Sequence, residues 1–522
     1  MALEGSWKKE FEQLNRKIDR LSATNEKLVS QGIKLSNQVY DASLQNEKQS
    51  ITIKELSTTI GDLKQSLDAR DARIAELEER LNKNSGNSSK PSSTDFFSKP
   101  KPSSINKGKP GSAKKSTGGQ KGHTGSTMKI KDVPDVIHDC LPSDCLGCKF
   151  ADRCKSETSI IESRNVMDVH IISEQIRFDC IQRLCAKTGR TITGKFPEGV
   201  NTYLQYGSNL KAMVVALSSF GMVSASRICS LMAGLAGISL SDGTVCNILA
   251  DCANRCNELV PELKEHVKAS EIAYFDETGI RVNGKIQWAH TSSTEKVTLI
   301  TAHTKRGVEG ILAGGVLKHF KGVAVHDCWG SYYHEEFNDT TNAVCGAHID
   351  RELEGVIQNQ NQRWAVSMKK LLATLYDTKR KLLAKGLHSA PQKLVDDYSR
   401  QYDHILGRGF SRNPYKPPKI RKQGKPKKGK ILCLIERLSK LKNDVLRFFT
   451  DFRVPFSNNV GEKSFRMSKL KMKVAGSFRS ADGGSNFCSI FSVIDTVRKN
   501  GGNPFKALAA LFNNSFSLSF LN

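Results

Sequence analysis

EIAYFDETGIRVNGKIQWAHTSSTEKVTLITAH, residues 271–303, decides the architecture. EIAYFDE is a short apolar strand that ends in acids, and Asn283-Gly284 between GIRV and KIQWAHT is the two-residue hairpin signal, because both turn positions need positive φ. VTLITAH supplies the third strand. Beyond it come a helical stretch (VEGILAGGVLKHF), a buried strand (GVAVHD), an aromatic segment (CWGSYYHEEF) and a fifth strand (NAVCG).

Three antiparallel strands followed by alternating helix and strand describe a mixed α/β sheet, whose last two strands pair in parallel beside the first. That order is ribonuclease-H-like. The long stretch from His348 to about Phe449 reads as helix and interrupts the unit, and helices run from Asn459 to the end, with Gly501-Gly502 closing one and Asn503-Pro504 opening another. Inside the insertion, NPYKPPKIRKQGKPKKGK is a basic Pro/Gly-broken loop without an acid, suited to phosphate contact through Lys425, Lys427 and Lys428 or to a solvated surface loop.

N-terminal to the sheet, residues 201–268 read as three short helices, with Ser241 capping the third and the second ending near Gly234 or Gly237. Such a run fits a helix-turn-helix or a plain helical bundle equally. Residues 132–200 hold six of the 14 cysteines, and 83–131 form a Ser/Gly/Pro/Lys-rich tether. From Trp7 to Leu81 one heptad register persists, with Phe11, Ile18, Val39, Ile53, Ile60 and Ile74 at a, and Leu14, Leu21, Leu28, Leu35, Leu56, Leu63 and Leu77 at d. Ile-rich a with Leu-rich d favours a parallel two-stranded coiled coil, and Asn25 and Asn46 at a fix register and strand number, so residues 1–82 are expected to form a homodimer.

The 522 residues carry 79 Lys+Arg against 53 Asp+Glu, a net +26 that points to polyanionic partners, nucleic acid first. With 38% hydrophobic residues the chain folds into several units. The N-terminus has no cleavable apolar core and no stretch suits a membrane span, so a cytoplasmic location is expected, and in a reducing compartment clustered cysteines read as metal ligands or buried thiols.

Asp276 closes the first strand and Asp327 the fourth, so neighbouring strands would set the two carboxylates side by side. Close carboxylates repel unless protonated or bridged, and hard divalent ions such as Mg²⁺ take oxygen ligands while leaving positions for phosphate. Two such ions ~3.5–4 Å apart serve phosphodiester chemistry. Glu462 in SNNVGEKSFR is the best third acid, because Lys463, Arg466, Lys469 and Lys473 follow it at helical spacing. Glu277, Glu335 and Glu352 are rivals. The plain alternatives are strand-end turn residues for the two aspartates and a capping box for Asn459 with Glu462. For zinc, two quartets compete: Cys145, Cys148, Cys180 and Cys185, or the local set Cys140, Cys145, Cys148 and Cys154.

NSSKPSS and GGQKGHTG after a coiled coil, a cysteine-rich segment, DETGIRVNGKIQWAHTSST, HDCWGSYY, CGAHIDREL, SNNVGEKSFR and SVIDTVRKNGGNP occur here in one order. In that order the chain resembles transposases of the insertion sequence sixty-six family, which use an Asp-Asp-Glu triad. The resemblance places the triad on Asp276, Asp327 and Glu462 and accounts for the helical insertion between the last two. It implies residues 269–350 as the first part of the catalytic core, 351–455 as the insertion, 456–480 as the last core helix and 481–522 as C-terminal helices. It further implies Mg²⁺ as a pair, with Mn²⁺ able to substitute, a structural Zn²⁺ on Cys145, Cys148, Cys180 and Cys185, and as partners the element ends, target DNA and accessory proteins of the same element. A prokaryotic, nucleoid-associated protein would follow. The chain departs from the family pattern at Lys463, where an Arg usually follows the Glu, which keeps the charge and loses the bidentate fork. Two other classes stay open on the sequence: an inactive DNA-binding dimer that regulates transposition, and a ribonuclease-H-like nuclease without end preference.

Overall fold

A computed structural model describes residues 2–81, 130–156, 159–415 and 428–521. It divides into two units, residues 1–83 and 84–522. The tether assigned to 83–131 lies almost wholly outside the described residues, as do Lys425 and Lys427 of the basic loop.

The first unit is one helix, α1 (Ala2–Leu81). Its heptad side chains lie in the open: Leu21 is 68% and Ile60 63% exposed. An apolar seam only two positions wide per heptad is too narrow for a globular face, and the long helix fits a coiled coil.

The second unit begins with a short helix, α2 (Ser143–Leu146), and a small antiparallel hairpin of β1 (Gln182–Leu184) and β2 (Thr191–Thr193). The three expected helices follow as α3 (Ser208–Val215), α4 (Ala225–Ala236) and α5 (Asp242–Lys268). Ser241 caps α5 by accepting the Thr244 N–H at 3.0 Å, and Gly237 ends α4 with φ of 67°. Helix α5 runs on through Pro261.

The sheet holds β3 (Ile272–Val282), β4 (Lys285–Ser293), β5 (Thr298–His303), β6 (Val323–His326) and β7 (Thr341–Val344), in the order β5-β4-β3-β6-β7. The first three pair antiparallel and β3-β6-β7 pair parallel, as the sequence pattern requires. EIAYFDE and GIRV form one eleven-residue strand, and the hairpin turn has φ of 47° at Asn283 and 72° at Gly284. A short helix, α6 (Val308–Gly314), crosses from β5 towards β6.

After β7 the insertion builds α7 (Gly346–Gln360), α8 (Arg363–Leu383), α9 (Gln392–Arg412), α10 (Lys430–Lys440) and α11 (Lys442–Thr450). Helices α12 (Asn459–Ala475), α13 (Ala481–Lys499) and α14 (Pro504–Phe512) complete the chain. Alternation along β3 decides the layers: Ala273 and Phe275 join a core with α3, α4, α5, α13 and α14, whereas Tyr274 joins the core of α7 to α11. The sheet is thus covered on both faces. The far end of β3 enters a third cluster, where Ile280 and Val282 meet Phe465 of α12 and Phe478, Phe487 and Phe491.

Candidate functional site

The parallel ladder between β3 and β6 ends at Tyr274↔Val325. Asp276 and Asp327 each lie two residues past that last pair, so the register brings them to the same level where the two strands part. Strand β6 stays with β7, since the Cys345 N–H donates to the His326 carbonyl at 2.8 Å. Asp327 accepts the Trp329 N–H at 2.9 Å, which turns the chain away from the sheet. His326, fully buried, stacks on Tyr332 with ring centroids 4.3 Å apart and meets Asn342 through Nε2.

Glu462 reaches the same place from the first turn of α12, and Asn458 sets where that helix starts. The Asn458 side-chain amide donates to the Phe275 carbonyl at 2.7 Å, one residue before Asp276, and its backbone N–H donates to Cys345 Sγ at 3.1 Å. One asparagine therefore ties the start of α12 both to β3, where its pairing with β6 stops, and to the residue that follows β7. Two glycines allow the approach: a Cβ on Gly461 would stand 2.7 Å from Asn458 Oδ1, and one on Gly346 would stand 2.4 Å from the Phe456 ring. The capping-box alternative for Asn459 is not formed; the N-cap is Asn458, with no side-chain capping bond, and Glu462 accepts from Arg351 Nη2 at 3.3 Å.

The acids are near enough for their charges to act on Asp276, although among the described residues the three carboxylates do not all come within 4.8 Å of one another. Asp276 is held well above the usual carboxylate range, first by burial and then by the charges of Glu277, Asp327 and Glu462; only the Glu277 N–H, at 2.9 Å, opposes the shift. Glu277, next along the strand, is also pushed up by burial and by Asp327, but it is well served: Arg306 donates to it at 3.0 and 2.6 Å and the Tyr332 hydroxyl at 2.6 Å. Arg306 in turn lies over Trp288 and Trp329, at 5.0 and 4.2 Å from the ring centroids. Glu277 is thus a braced acid. The other rivals stand elsewhere: Glu352 pairs with Arg437, and Glu335 is exposed.

Of the basic residues after Glu462, Lys463, Arg466 and Lys473 are exposed and Lys469 half-buried, so α12 offers cations beside the acids. Lys471 does not join them; its ammonium turns inward to the carbonyls of Ser218 and Val223 at 2.9 and 3.2 Å. Lys428 is exposed and paired with Glu436. Among the cysteines, Cys145 and Cys148 share one turn, and Cys180 and Cys185 flank strand β1. Neither quartet is assembled: among the described residues, the group of three metal-ligating side chains within mutual reach is Cys345, His348 and Glu462.

In the sequence Cys345 and His348 could ligate metal but at a strand–helix join more often pack or hydrogen-bond, so no site is assigned to them, and Arg351 and Asn458 carry no role, although CGAHIDREL spaces His348 and Arg351 on one helical face three residues apart. That spacing is the available signal for His348 and Arg351; Asn458 shows only as the first of an Asn-Asn pair.

A sheet edge with clustered carboxylates and a neighbouring basic helix is the kind of site found in enzymes that process nucleic acids with divalent metals. The family model described as Transposase IS66 family matches residues 204–486, and the chain belongs to that family. Residues 7–129 match a family of unknown function, DUF6444. No curated protein matches the chain. Among the described residues no helix is long and apolar enough to cross a membrane.

Proposed function

We propose that this transposase has a ribonuclease-H-like core, binds the ends of its own insertion sequence, and uses Asp276, Asp327 and Glu462 for metal-dependent strand cleavage and transfer into target DNA. What supports the proposal is the strand register that brings Asp276 and Asp327 to one level, with the start of α12 tied alongside by Asn458; there burial and like charges disfavour the ionised form of Asp276, and two compensations are available, a proton or a cation. Oxygen donors from three elements suit hard ions of the Mg²⁺ or Mn²⁺ type. When bound, such ions lower the cost of charge on the attacking and leaving oxygens of a phosphodiester.

The protein's own side chains hold the rest of the reaction in place. Asn458 positions the first turn of α12 against β3 beside Asp276, Arg351 fixes one Glu462 oxygen, and the Arg306–Glu277–Tyr332 contacts brace the strand that carries Asp276. Lys463, Arg466, Lys469 and Lys473 would hold phosphates next to the acids, with Lys425, Lys427 and Lys428 gripping the flanking duplex. Helices α4 and α5, joined by a short turn at Gly237, would read end sequence as a helix-turn-helix. Helix α1 would pair two copies in parallel so that both element ends are held together, and a zinc on Cys145, Cys148, Cys180 and Cys185 would order the segment before the core. The work is placed at the nucleoid in a prokaryotic cytoplasm, with accessory proteins of the same element as partners.

The test is cleavage of a duplex carrying the element end, with Mg²⁺, by wild type and by Asp276→Asn and Glu462→Gln. Nicking at the end should fall at least about 10²-fold in either variant, as expected when several kcal/mol of charge stabilisation are lost. Retardation of the same DNA should persist. Undiminished nicking by either variant removes the catalytic assignment, and cutting without end preference or joining points to a plain nuclease.

A further inference from the structure

We propose that Cys345, His348 and Glu462 form a three-ligand site for a thiophilic divalent cation such as Zn²⁺, distinct in chemistry from an oxygen-only Mg²⁺ site. The Cys345 sulfur, a His348 ring nitrogen and a Glu462 carboxylate oxygen all lie within 4.8 Å of one another. His348 Nδ1 stands 3.7 Å from Glu462 Oε1, beyond hydrogen-bond range, and this buried nitrogen has no hydrogen-bond partner. Ligand atoms held ~2.0–2.1 Å from a tetrahedral ion lie roughly 3.3 Å apart, so the pair is already near the spacing an ion imposes. A few tenths of an ångström of side-chain movement would close it.

The donor set decides the ion. One thiolate, one imidazole and one carboxylate suit Zn²⁺, Co²⁺ or Cd²⁺, whereas Mg²⁺ rejects sulfur. Binding displaces the Cys345 thiol proton to solvent and leaves the sulfur as thiolate. The surroundings are mixed in sign: burial and then Arg351, 3.3 Å from Glu462 Oε1, disfavour positive charge at His348, while Glu462 and Asp327 favour it, so the thiolate would have to supply the rest of the compensation. Arg351 and His348 face the same Glu462 oxygen, so an ion there would share Oε1 with the guanidinium or displace it. Three protein ligands leave a fourth position open, and the 31% exposure of the Glu462 side chain gives it access to solvent. Cys345 caps α7, His348 sits in its first turn, and Glu462 sits in the first turn of α12, so the ion would pin two helix starts together. The proposal stands on these three side chains and does not depend on the transposition reading.

The probe is Co²⁺, titrated into the full chain carrying Ser in place of Cys140, Cys145, Cys148, Cys154, Cys180 and Cys185, so that the N-terminal thiols contribute nothing. One equivalent should bind with a thiolate-to-cobalt absorption band. Cys345→Ser in that background should lose the band, and His348→Gln should weaken binding roughly tenfold or more. His348→Gln also serves where Cys345→Ser fails to fold, as judged by circular dichroism. Uptake of no Co²⁺ with a thiolate band, or a band and affinity unchanged in folded His348→Gln, overturns the site. Cleavage activity plays no part in this readout, so its loss or survival bears only on the triad.

Discussion

Two seams of the molecule shelter an aspartate, Asp495 fully and Asp276 in part, and treat it in opposite ways. Where α13 crosses β5, Asp495 is 2% exposed and fully served: the Thr298 hydroxyl donates to one oxygen at 2.6 Å, and Arg498 donates to the other at 3.0 and 2.5 Å. Where β3 and β6 part, Asp276 has one backbone N–H and faces Glu277, Asp327 and Glu462. The first arrangement is what stability requires of a buried charge. The second lowers stability and makes sense for a group reserved for a cation. On the proposed reading, that difference is what would separate a structural acid from a catalytic one.

Three measurements break or sharpen that contrast. The largest effect should come from Asp495→Ala, which strands the buried Thr298 hydroxyl and should cost about 1–3 kcal/mol in urea unfolding. A loss below a few tenths would erase the distinction between the seams. Asp276→Asn should act in the opposite direction without divalent metal, raising Tm by roughly 2–4 °C at neutral pH. The sign follows from linkage: a carboxyl raised in the folded state costs stability as pH climbs through its folded value. The gain should therefore vanish below the unfolded value, about 3.9. Added Mg²⁺ should stabilise wild type and leave Asp276→Asn unmoved; a variant less stable than wild type at neutral pH would contradict the strained-acid reading. The smallest effect concerns the exposed cations beside the acids. Lys463→Ala should reduce the salt slope of DNA binding by about 1, with affinity falling evenly across sequences. A slope equal to that of wild type would remove Lys463 from the phosphate contacts.

The strands were legible because alternation and Asn283-Gly284 are local signals, and the cap at Ser241 was legible because it spans three residues. Glu277 was harder. Adjacent to Asp276 and equally acidic, it differs only in partners, Arg306 and Tyr332, that lie 29 and 55 residues away in sequence. Lys471 falls among the basic residues of α12 and reads as one of them, yet its inward turn depends on carbonyls around 250 residues distant. The zinc quartet is a matter of spacing in the sequence, and its four sulfurs are not gathered in the structure.

By itself the sequence determined the heptads of α1 and the five strands and their pairing sense; it put Asp276 at a strand end, whereas β3 runs on through it to Val282 because GIRV continues the antiparallel pairing with β4. Heptads and strands depend on periodicity or on residues close together in the chain. Only the tertiary structure decided which acids are compensated, that Asn458 joins the start of α12 to β3 beside Asp276 and to the residue after β7, and that Cys345 and His348 face Glu462. The last two are contacts made across more than one hundred residues and the first depends on partners as far as 55 residues from Glu277, so desolvation and neighbouring charge, both absent from the primary chain, set the chemistry.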